Sequence, residues 1–361
     1  MNERANNIAD PLLAWWDQHG RHDLPWQNNP TPYRVWVSEI MLQQTQVATV
    51  EGYFDRFMES FPDVSALANA SQDDVLHHWS GLGYYSRARN LHKAAQQIVT
   101  EHAGELPETL EELLELAGIG PSTAGAILSL SMNQRQPILD GNVKRVLARV
   151  FCVEGWTGST ANLKRLWELT EVVTPQARVA NYTQAIMDLG ATLCTRSRPR
   201  CEDCPLQSGC EAFANERVSE IPASKPKKTK PRRATVMLMA VSNNGEILLE
   251  KRPQTGIWGG LWSFPELGSE DEVAGWCQQR FARPPVEQQT WPVVAHSFSH
   301  FDLDMTPVEV QLEVLPAEVM DGERWLWYNT RTPASIGLAA PVAKLLKVMN
   351  EKAQTAPSGE Q

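Results

Sequence analysis

The sequence predicts two domains, an all-α domain at residues 1–217 and an α+β domain at residues 234–350. In the first domain, apolar residues recur at the three- and four-residue spacing of amphipathic helices. In the second, apolar residues alternate with other residues, as in strands that bury one face. Residues 218–233 are predicted to be a basic, proline-containing linker, and residues 351–361 are expected to form a disordered tail.

Length and composition are those of an ordinary globular protein. The 361 residues suffice for two separate cores, 42% of them are hydrophobic, and no run of about 18 apolar residues occurs. We therefore expect a cytoplasmic protein that does not enter a membrane, and we expect a monomer. The formal net charge of −10 argues only weakly against binding nucleic acid, because the basic residues are clustered and the local field governs such contacts.

Residues 108–133 are predicted to form two helices joined by a tight turn. Gly118 and Gly120 mark this turn, because glycine tolerates the positive φ that such turns need. The proline that follows suits the first turn of the second helix, which Ser122 or Thr123 is expected to cap. Unpaired N–H groups at that helix start would bind an anion such as phosphate. The alternative is an ordinary helix-turn-helix corner in an all-α core.

Two carboxyl groups, far apart in the chain, are candidates for acid–base chemistry. Glu39 lies among apolar neighbours on a predicted helix, where burial raises the pKa of a carboxyl group and lets it donate a proton near neutral pH. Asp140 is expected beside the hairpin, where helix-end amides and Asn142 make it the easier of the two to ionise. Taken alone, Glu39 could also be an ordinary paired helix residue.

Four cysteines crowd one loop at residues 194–210, with the spacing C-x6-C-x2-C-x5-C. Disulfides are not expected in a reducing cytoplasm, so clustered thiols indicate a metal centre. Zinc and an iron–sulfur cluster both accept four thiolates. Zinc ribbons usually supply two close cysteine pairs, whereas this loop contains one. The candidate ligands are Cys194, Cys201, Cys204 and Cys210.

These motifs together resemble the MutY-type adenine DNA glycosylases, a family of the helix-hairpin-helix base-excision superfamily. Residues 37–47 (VSEIMLQQTQV) are similar to the signature of that family, and the hairpin followed by Asp140 resembles its active site. The cysteine spacing matches the iron–sulfur loop of MutY and endonuclease III relatives. Residues 256–265 (GIWGGLWSFP) resemble the Nudix-like C-terminal domain of the family, so the resemblance spans roughly residues 10–350.

The resemblance implies a monofunctional DNA repair glycosylase that extrudes adenine from A:8-oxoguanine or A:G mispairs in double-stranded DNA and hydrolyses its N-glycosidic bond. Glu39 would act as the general acid and then assist water. Asp140, together with Asn142, would stabilise the oxocarbenium-like sugar. Bifunctional relatives carry a lysine nucleophile where this chain has Ser122. Lys144 could form no more than an incidental Schiff base with the abasic product.

The resemblance also implies a cofactor and a set of contact residues. One [4Fe–4S] cluster would be bound by the four cysteines of the 194–210 loop. Gln44 would fill the space left by the extruded base, and Tyr84 would wedge into the base stack. The DNA-binding residues would be Gln44, Thr45, Tyr84, Gly118, Gly120, Ser122 and Lys144. The adenine pocket would contain Trp26 and Gln184. The residues reading 8-oxoguanine would be His296, Phe298, Ser299 and His300.

Two other functions remain open at this point. An endonuclease III-like glycosylase would excise oxidised or mismatched pyrimidines. Comparing A:8-oxoguanine with thymine-glycol duplexes distinguishes it from an adenine glycosylase. A DNA-binding scaffold, whose C-terminal module senses a nucleotide or partner, would bind DNA without releasing a base. Residues 270–277 lack the ordered arginine and paired glutamates of a Nudix hydrolase, so pyrophosphate hydrolysis is not expected.

Overall fold

The structure is a computed structural model of the chain, and it describes residues 2–226, 229–313 and 324–355. The chain divides into two compact units. Unit 1 comprises Met1–Asn69 and Asn90–Lys227, and unit 2 comprises Ala70–Arg89 and Lys228–Gln361. The segment Ala70–Arg89, which lies within the predicted all-α domain, therefore groups with the sheet-containing unit.

The N-terminal two thirds of the chain is helical, as predicted. Its helices are α1 Asn2–His19, α2 Pro32–Leu42, α3 Val47–Ser60, α4 Val64–Asn69, α5 Gln72–His78, α6 Ser86–Glu101, α7 Leu110–Glu115, α8 Pro121–Met132, α9 Gly141–Val150, α10 Thr160–Val173, α11 Val179–Asp188 and α12 Glu211–Ala214. In unit 1, α1 packs with α9, α10 and α11 around a core that contains Leu12, Val143, Leu147, Leu166 and Tyr182. This core fixes the ends of α9 and α11, where the candidate site lies.

Unit 2 contains a mixed sheet with the strand order β3-β2-β1-β7-β5. Its elements are β1 Arg232–Val241, β2 Ile247–Lys251, β3 Trp262–Ser263, β4 Glu266–Leu267, α13 Glu272–Phe281, β5 Glu287–Thr290, β6 Val294–Ser297, β7 Asp302–Gln311, β8 Trp325–Tyr328 and α14 Ala340–Thr355. Strands β1 and β7 pair in parallel from Arg232↔Asp302 to Val241↔Gln311. The two-domain architecture predicted from the sequence is thus confirmed.

The alternation predicted in the second domain buries one face of the sheet against α13. Val236, Leu238 and Val310 point into this core, where Val273 and Cys277 of α13 pack on them. In β7 buried residues largely alternate with partly exposed ones, as the pattern predicts. Residues 236–241 of β1 are all buried, so this strand is covered on both faces and its apolar run does not alternate.

Three predicted segments include residues that the structure does not describe. Lys227 and Lys228 of the basic linker, Val314 of the alternating run and residues 356–361 of the expected tail lie outside the described residues. The last helix continues to Thr355, five residues into the segment expected to be a disordered tail. Within the described residues, no helix combines the length and apolarity needed to cross a bilayer.

Candidate active site

Helix α2 carries Glu39. Pro32 occupies its first turn and the Thr31 hydroxyl accepts the Arg34 N–H at 3.3 Å, so local sequence starts the helix. Its buried residues, among them Trp36 and Ile40, anchor it in unit 1, while Glu39 stays partly accessible. The helix therefore holds this carboxyl group at the border between the core and a cavity.

The hairpin between α7 and α8 has the predicted turn but not the predicted cap. Gly118 has φ +79°, and a Cβ there would lie 2.7 Å from the Asn90 Cβ, so glycine is required by both conformation and space. The residue that caps α8 is Gly120, without a side-chain hydrogen bond. The expectation that Ser122 or Thr123 caps this helix was wrong, because both lie inside the first turn.

Ser122 instead connects the hairpin to the segment before α9. Its hydroxyl accepts the backbone N–H of Leu139 at 3.0 Å. The next residue, Asp140, is the N-cap of α9, and its carboxylate accepts the Val143 N–H at 2.7 Å and the Asn142 side-chain amide at 3.2 Å. The hydrogen bonds predicted for Asp140 are therefore present.

One cavity of about 450 Å³ in unit 1 joins the two carboxyl groups. This volume lies in the usual range of small-ligand sites. The predicted residues that line it are Trp26, Glu39, Gln44, Thr45, Ser122, Asp140, Asn142 and Gln184. Other lining residues, which the sequence did not single out, include Arg21, Gln43 and Met187. Among the described residues, Gly118, Gly120 and Lys144 were predicted as DNA contacts and lie outside this lining.

The two carboxyl groups differ in their electrostatic surroundings. Desolvation raises the pKa of Glu39 to about 8, and the negative charge of Asp140 contributes to the increase. Burial also raises the pKa of Asp140, but hydrogen bonds from Val143 and Asn142 and the charge of Arg145 oppose this effect. The hydrogen bonds and Arg145 stabilise the charged form of Asp140, whereas both causes that act on Glu39 favour its neutral form, so Asp140 is the easier of the two to ionise. The cavity thus joins two carboxyl groups in unlike surroundings.

An ion pair between Arg21 of the cavity lining and the buried Asp188 was missed by the sequence analysis. The Asp188 carboxylate, 1% exposed, accepts Arg21 Nη2 at 2.6 Å and the Gln184 side-chain amide at 2.9 Å. Gln184 and Asp188 are four residues apart on α11 and so share one helix face, which was the only local signal. Arg21 lies 167 positions away in the chain, and no local pattern indicated it.

The four cysteines of the 194–210 loop line one cavity in unit 1 together with apolar side chains such as Val146 and Leu193. Burial, together with the negative charge of the neighbouring cysteines, raises the pKa of Cys204 to about 11. Arg149 donates to the Cys194 sulfur at 3.3 Å and to the Thr195 carbonyl at 2.8 Å. No group of three or more His, Cys, Asp or Glu side chains among residues 2–226, 229–313 and 324–355 converges as for a single metal ion.

The remaining predicted residues belong to a second cavity, formed entirely by unit 2. This cavity of about 950 Å³ is lined by the 81–86 turn and by residues 296–301. Tyr84, 50% exposed with φ +48°, thus lies in the same cavity as the predicted lesion readers His296, Phe298, Ser299 and His300.

Trp258, which the sequence analysis did not select, completes an aromatic cluster in that cavity. Its ring centroid lies 5.7 Å from His296 and 5.4 Å from Phe298, and Phe298 stacks on Phe301 at 4.7 Å. Arg233 lies over the Phe301 ring at 4.5 Å. The cavity therefore offers flat aromatic faces beside cationic and imidazole groups.

Comparison with known families identifies the class of protein. The HhH-GPD superfamily of base excision DNA repair proteins matches residues 37–171, and the NUDIX domain matches residues 236–348. The solved structure of a thermostable thymine-DNA glycosylase is similar in fold, with a TM-score of 0.53 and 24% identity over 59% of this chain and 98% of that chain. The chain thus combines a helix-hairpin-helix glycosylase domain with a Nudix-like domain.

Similarity along nearly the whole chain gives the particular family. The sequence is 38% identical over 336 residues to the adenine DNA glycosylase of Buchnera aphidicola subsp. Acyrthosiphon pisum, covering 93% of this chain and 95% of the relative. It is 36% identical over 391 residues to the adenine DNA glycosylase of Mus musculus, covering 91% of this chain and 75% of the relative. The chain belongs to the adenine DNA glycosylase family.

Proposed function

We propose that this protein removes adenine from double-stranded DNA in which it is mispaired with 8-oxoguanine or guanine, by hydrolysis of the N-glycosidic bond. The observation that carries the proposal is the cavity that Glu39 and Asp140 share, in which the pKa of Glu39 is raised to about 8 and hydrogen bonds and Arg145 stabilise the charged form of Asp140. Trp26 and Gln184 line the same cavity and supply an indole ring and an amide for a base. The names of the relatives support the same activity.

The two carboxyl groups divide the chemistry. Glu39 donates its proton to N7 of the extruded adenine, so that the C1′–N9 bond breaks and its electron pair passes to the base. Asp140 stabilises the positive charge that develops on the sugar. The Glu39 carboxylate then takes a proton from the water that attacks C1′. This step restores the acid and yields free adenine and an abasic sugar.

We infer that the enzyme does not cleave the DNA strand. A lyase needs an amine nucleophile at the sugar, but residue 122 is a serine whose hydroxyl is engaged with the Leu139 N–H. Lys144 lies outside the cavity lining in the described structure. Water is therefore the nucleophile that the cavity favours.

The second cavity is proposed to read 8-oxoguanine. The tilted and edge-on rings of His296, Phe298 and Trp258 offer apolar faces to a purine, and Ser299 and His300 supply hydrogen-bonding groups beside them. Tyr84, exposed on the adjoining turn, is placed to wedge between bases. This division assigns lesion reading to unit 2 and chemistry to unit 1.

The cysteine loop fits a [4Fe–4S] cluster better than zinc. Four iron atoms each take their own thiolate, so the ligand sulfurs need to surround a cavity, as they do here, and need not converge on one point. Arg149 offsets thiolate charge through its contact with Cys194. We propose that the cluster, when bound, stabilises this loop. Broad visible absorbance and iron analysis of purified protein test the assignment, and stoichiometric zinc would contradict it.

The proposed function is tested by base release from matched duplexes. Single-turnover assays use the same sequence with A:8-oxoguanine, A:G, A:T or thymine glycol:A at one position. We expect adenine release from the first two, slow release from A:T and no release of thymine glycol. Release of thymine glycol without adenine would favour a pyrimidine-specific glycosylase, and tight binding without any base release would favour a DNA-binding scaffold.

The pH dependence of adenine release follows from the raised pKa of Glu39. Because this group acts as an acid, the single-turnover rate constant should fall as the pH rises through about 8. The decrease should approach about tenfold per pH unit beyond that point. Binding of a product-like abasic duplex over the same pH range is the control. A rate that stays constant well above this pH would exclude Glu39 as the proton donor.

The outer surface of the hairpin is proposed to hold DNA phosphate at Gly120. This residue has φ −103°, and an added Cβ would meet nothing within 4 Å, so Gly120→Ala should cause no clash and should lower thermal stability only slightly, because alanine is a poorer N-cap residue than glycine. The new methyl group would keep a phosphate from the helix-end amides, so we expect duplex affinity to fall by about tenfold.

Two other glycines serve as matched controls for this prediction. Gly118→Ala should lose stability as well as affinity, because φ is positive there and the added Cβ would clash with the Cβ of Asn90. Gly275→Ala on α13 also enters open space; it should leave DNA affinity unchanged and raise stability slightly, because alanine is favoured over glycine inside a helix. Unchanged DNA affinity of Gly120→Ala would remove this turn from the interface.

A further inference from the structure

The side chain of Gln184 has a defined orientation in the cavity wall. It is 7% exposed and lines the cavity that contains Glu39 and Asp140. Its amide nitrogen donates to Asp188 Oδ1 at 2.9 Å. With the nitrogen held by Asp188, the carbonyl oxygen is the acceptor that the amide has for a ligand. Gln184 and Trp26 also border an adjoining cavity of about 320 Å³, so the amide forms part of a dividing wall.

The orientation follows from the surroundings of Asp188. Its two oxygens meet only donors among the hydrogen bonds of the described structure: Trp16 Nε1 at 3.1 Å, Arg21 N at 2.9 Å, Arg21 Nε at 2.9 Å, Arg21 Nη2 at 2.6 Å and Gln184 Nε2 at 2.9 Å. An ionised carboxylate accepts hydrogen bonds and cannot donate them. If the Gln184 amide turned over, its oxygen would face the Asp188 carboxylate at the same distance, which is repulsive in a buried site.

We propose that Asp188 is a positioning residue that sets base specificity by fixing the Gln184 carbonyl toward the base. The cavity then presents a hydrogen-bond acceptor to the amino group at C6 of adenine. The same acceptor repels the C6 carbonyl oxygen of hypoxanthine or guanine. Asp188 touches no reacting atom, since it acts through Gln184 and is itself held by Arg21 and Trp16. This inference rests on the proposed adenine excision.

The shape of the cavity alone would not distinguish adenine from hypoxanthine. Adenine and hypoxanthine have nearly the same outline and differ in the donor or acceptor at C6. A site built to satisfy a particular donor rejects an analogue that lacks it far more strongly than an apolar pocket does, because buried polar groups are then left unpaired or opposed. Fixing one amide is therefore enough to separate the two purines.

The test compares single-turnover rate constants for adenine and hypoxanthine opposite 8-oxoguanine in the wild type and in Asp188→Asn. A carboxamide at residue 188 has one acceptor oxygen for the donors that two carboxylate oxygens accept in the wild type, and no negative charge. Gln184 is then held less firmly and can present its oxygen or its nitrogen to the base. We expect the adenine-to-hypoxanthine ratio to fall by about tenfold or more. Asp17→Asn, which changes an exposed carboxylate paired with Arg178, is the matched control and should leave the ratio unchanged.

A second substitution separates orientation from structural damage. In the double variant Asp188→Asn with Gln184→Glu, the side chain at residue 184 has two acceptors and no donor, so it offers an acceptor to the base in either orientation. The ratio should return toward the wild-type value. If Asp188→Asn slows both substrates equally and the double variant restores nothing, the role of Asp188 is structural and the inference is overturned.

A third variant covers the case in which Asp188→Asn does not fold. Gln184→Met removes the amide, retains similar volume and keeps Asp188 paired with Arg21. A fixed acceptor predicts that this change lowers the adenine-to-hypoxanthine ratio by about tenfold. An amide free to rotate would serve both bases, and the ratio would stay constant. If the wild type releases no adenine, the proposed function fails; if it does and the ratios do not change, only the role of Asp188 fails.

Discussion

Replacing Asp140 with asparagine is expected to reduce adenine release by about a thousandfold or more. The substitution keeps the shape of the side chain but removes the negative charge that opposes the developing positive charge of the sugar. It also removes the charge that contributes to the raised pKa of Glu39, so the proton donor is weakened at the same time. The measurement is the single-turnover rate constant on an A:8-oxoguanine duplex.

The same variant should retain the fold and the ability to bind DNA. Asparagine is as good an N-cap residue as aspartate, so the hydrogen bond to the Val143 N–H that starts α9 can persist. We expect duplex affinity within about threefold of the wild type, since the substitution adds no volume to the cavity. Asp140→Ala, which also removes the cap, should lose stability by comparison. Unchanged turnover of Asp140→Asn would remove this residue from catalysis.

Residues whose role is set by their immediate neighbours were predictable from the sequence. Asp140 precedes Gly141-Asn142, and aspartate before a helix start is a common N-cap, so both its place and its hydrogen bonds could be anticipated. Glu39 sits on a helix whose apolar neighbours already implied burial and a raised pKa. In both cases the interactions that decide the chemistry lie within about one helical turn or result from burial of that turn.

Features that depend on contacts between distant segments were not predictable. Arg21 meets Asp188 across 167 positions, and nothing near either residue indicates the pair. Trp258 joins the ring cluster of His296 and Phe298 only because the sheet brings two loops together. The grouping of Ala70–Arg89 with unit 2 has the same origin, since helical periodicity identifies a helix but not the domain that it packs in.

The misassigned helix cap shows a limit of reading motifs by residue type alone. Ser122 and Thr123 are both residues that favour N-cap positions, yet the cap of α8 is Gly120. Only the residue at the cap itself can turn its side chain back to the free amides, and a glycine there leaves those amides uncovered. The hydroxyl of Ser122 is used for the Leu139 N–H, which holds Asp140 near the hairpin.

Replacing Glu39 with glutamine is expected to reduce adenine release by about 10²- to 10⁴-fold and, at the same time, to increase stability at alkaline pH. The pKa of Glu39 is about 8 in the folded protein and 4.5 ordinarily, so the group takes up a proton on folding at intermediate pH. For a raised pKa, the wild-type protein therefore loses stability as the pH rises from the ordinary value through about 8. Glutamine is neutral throughout and does not carry this cost.

Urea unfolding at about pH 4 and about pH 8.5 distinguishes this effect from a general change in packing. The stability difference between Glu39→Gln and the wild type should be small at the lower pH, where the carboxyl group is neutral in both states, and largest at the higher pH. Glu59→Gln, at an exposed position of α3, is the matched control and should change neither activity nor the pH dependence of stability. An active Glu39→Gln variant would exclude Glu39 as the proton donor. A variant whose stability follows the wild type at both pH values would exclude the cost that this carboxyl group adds to folding at high pH.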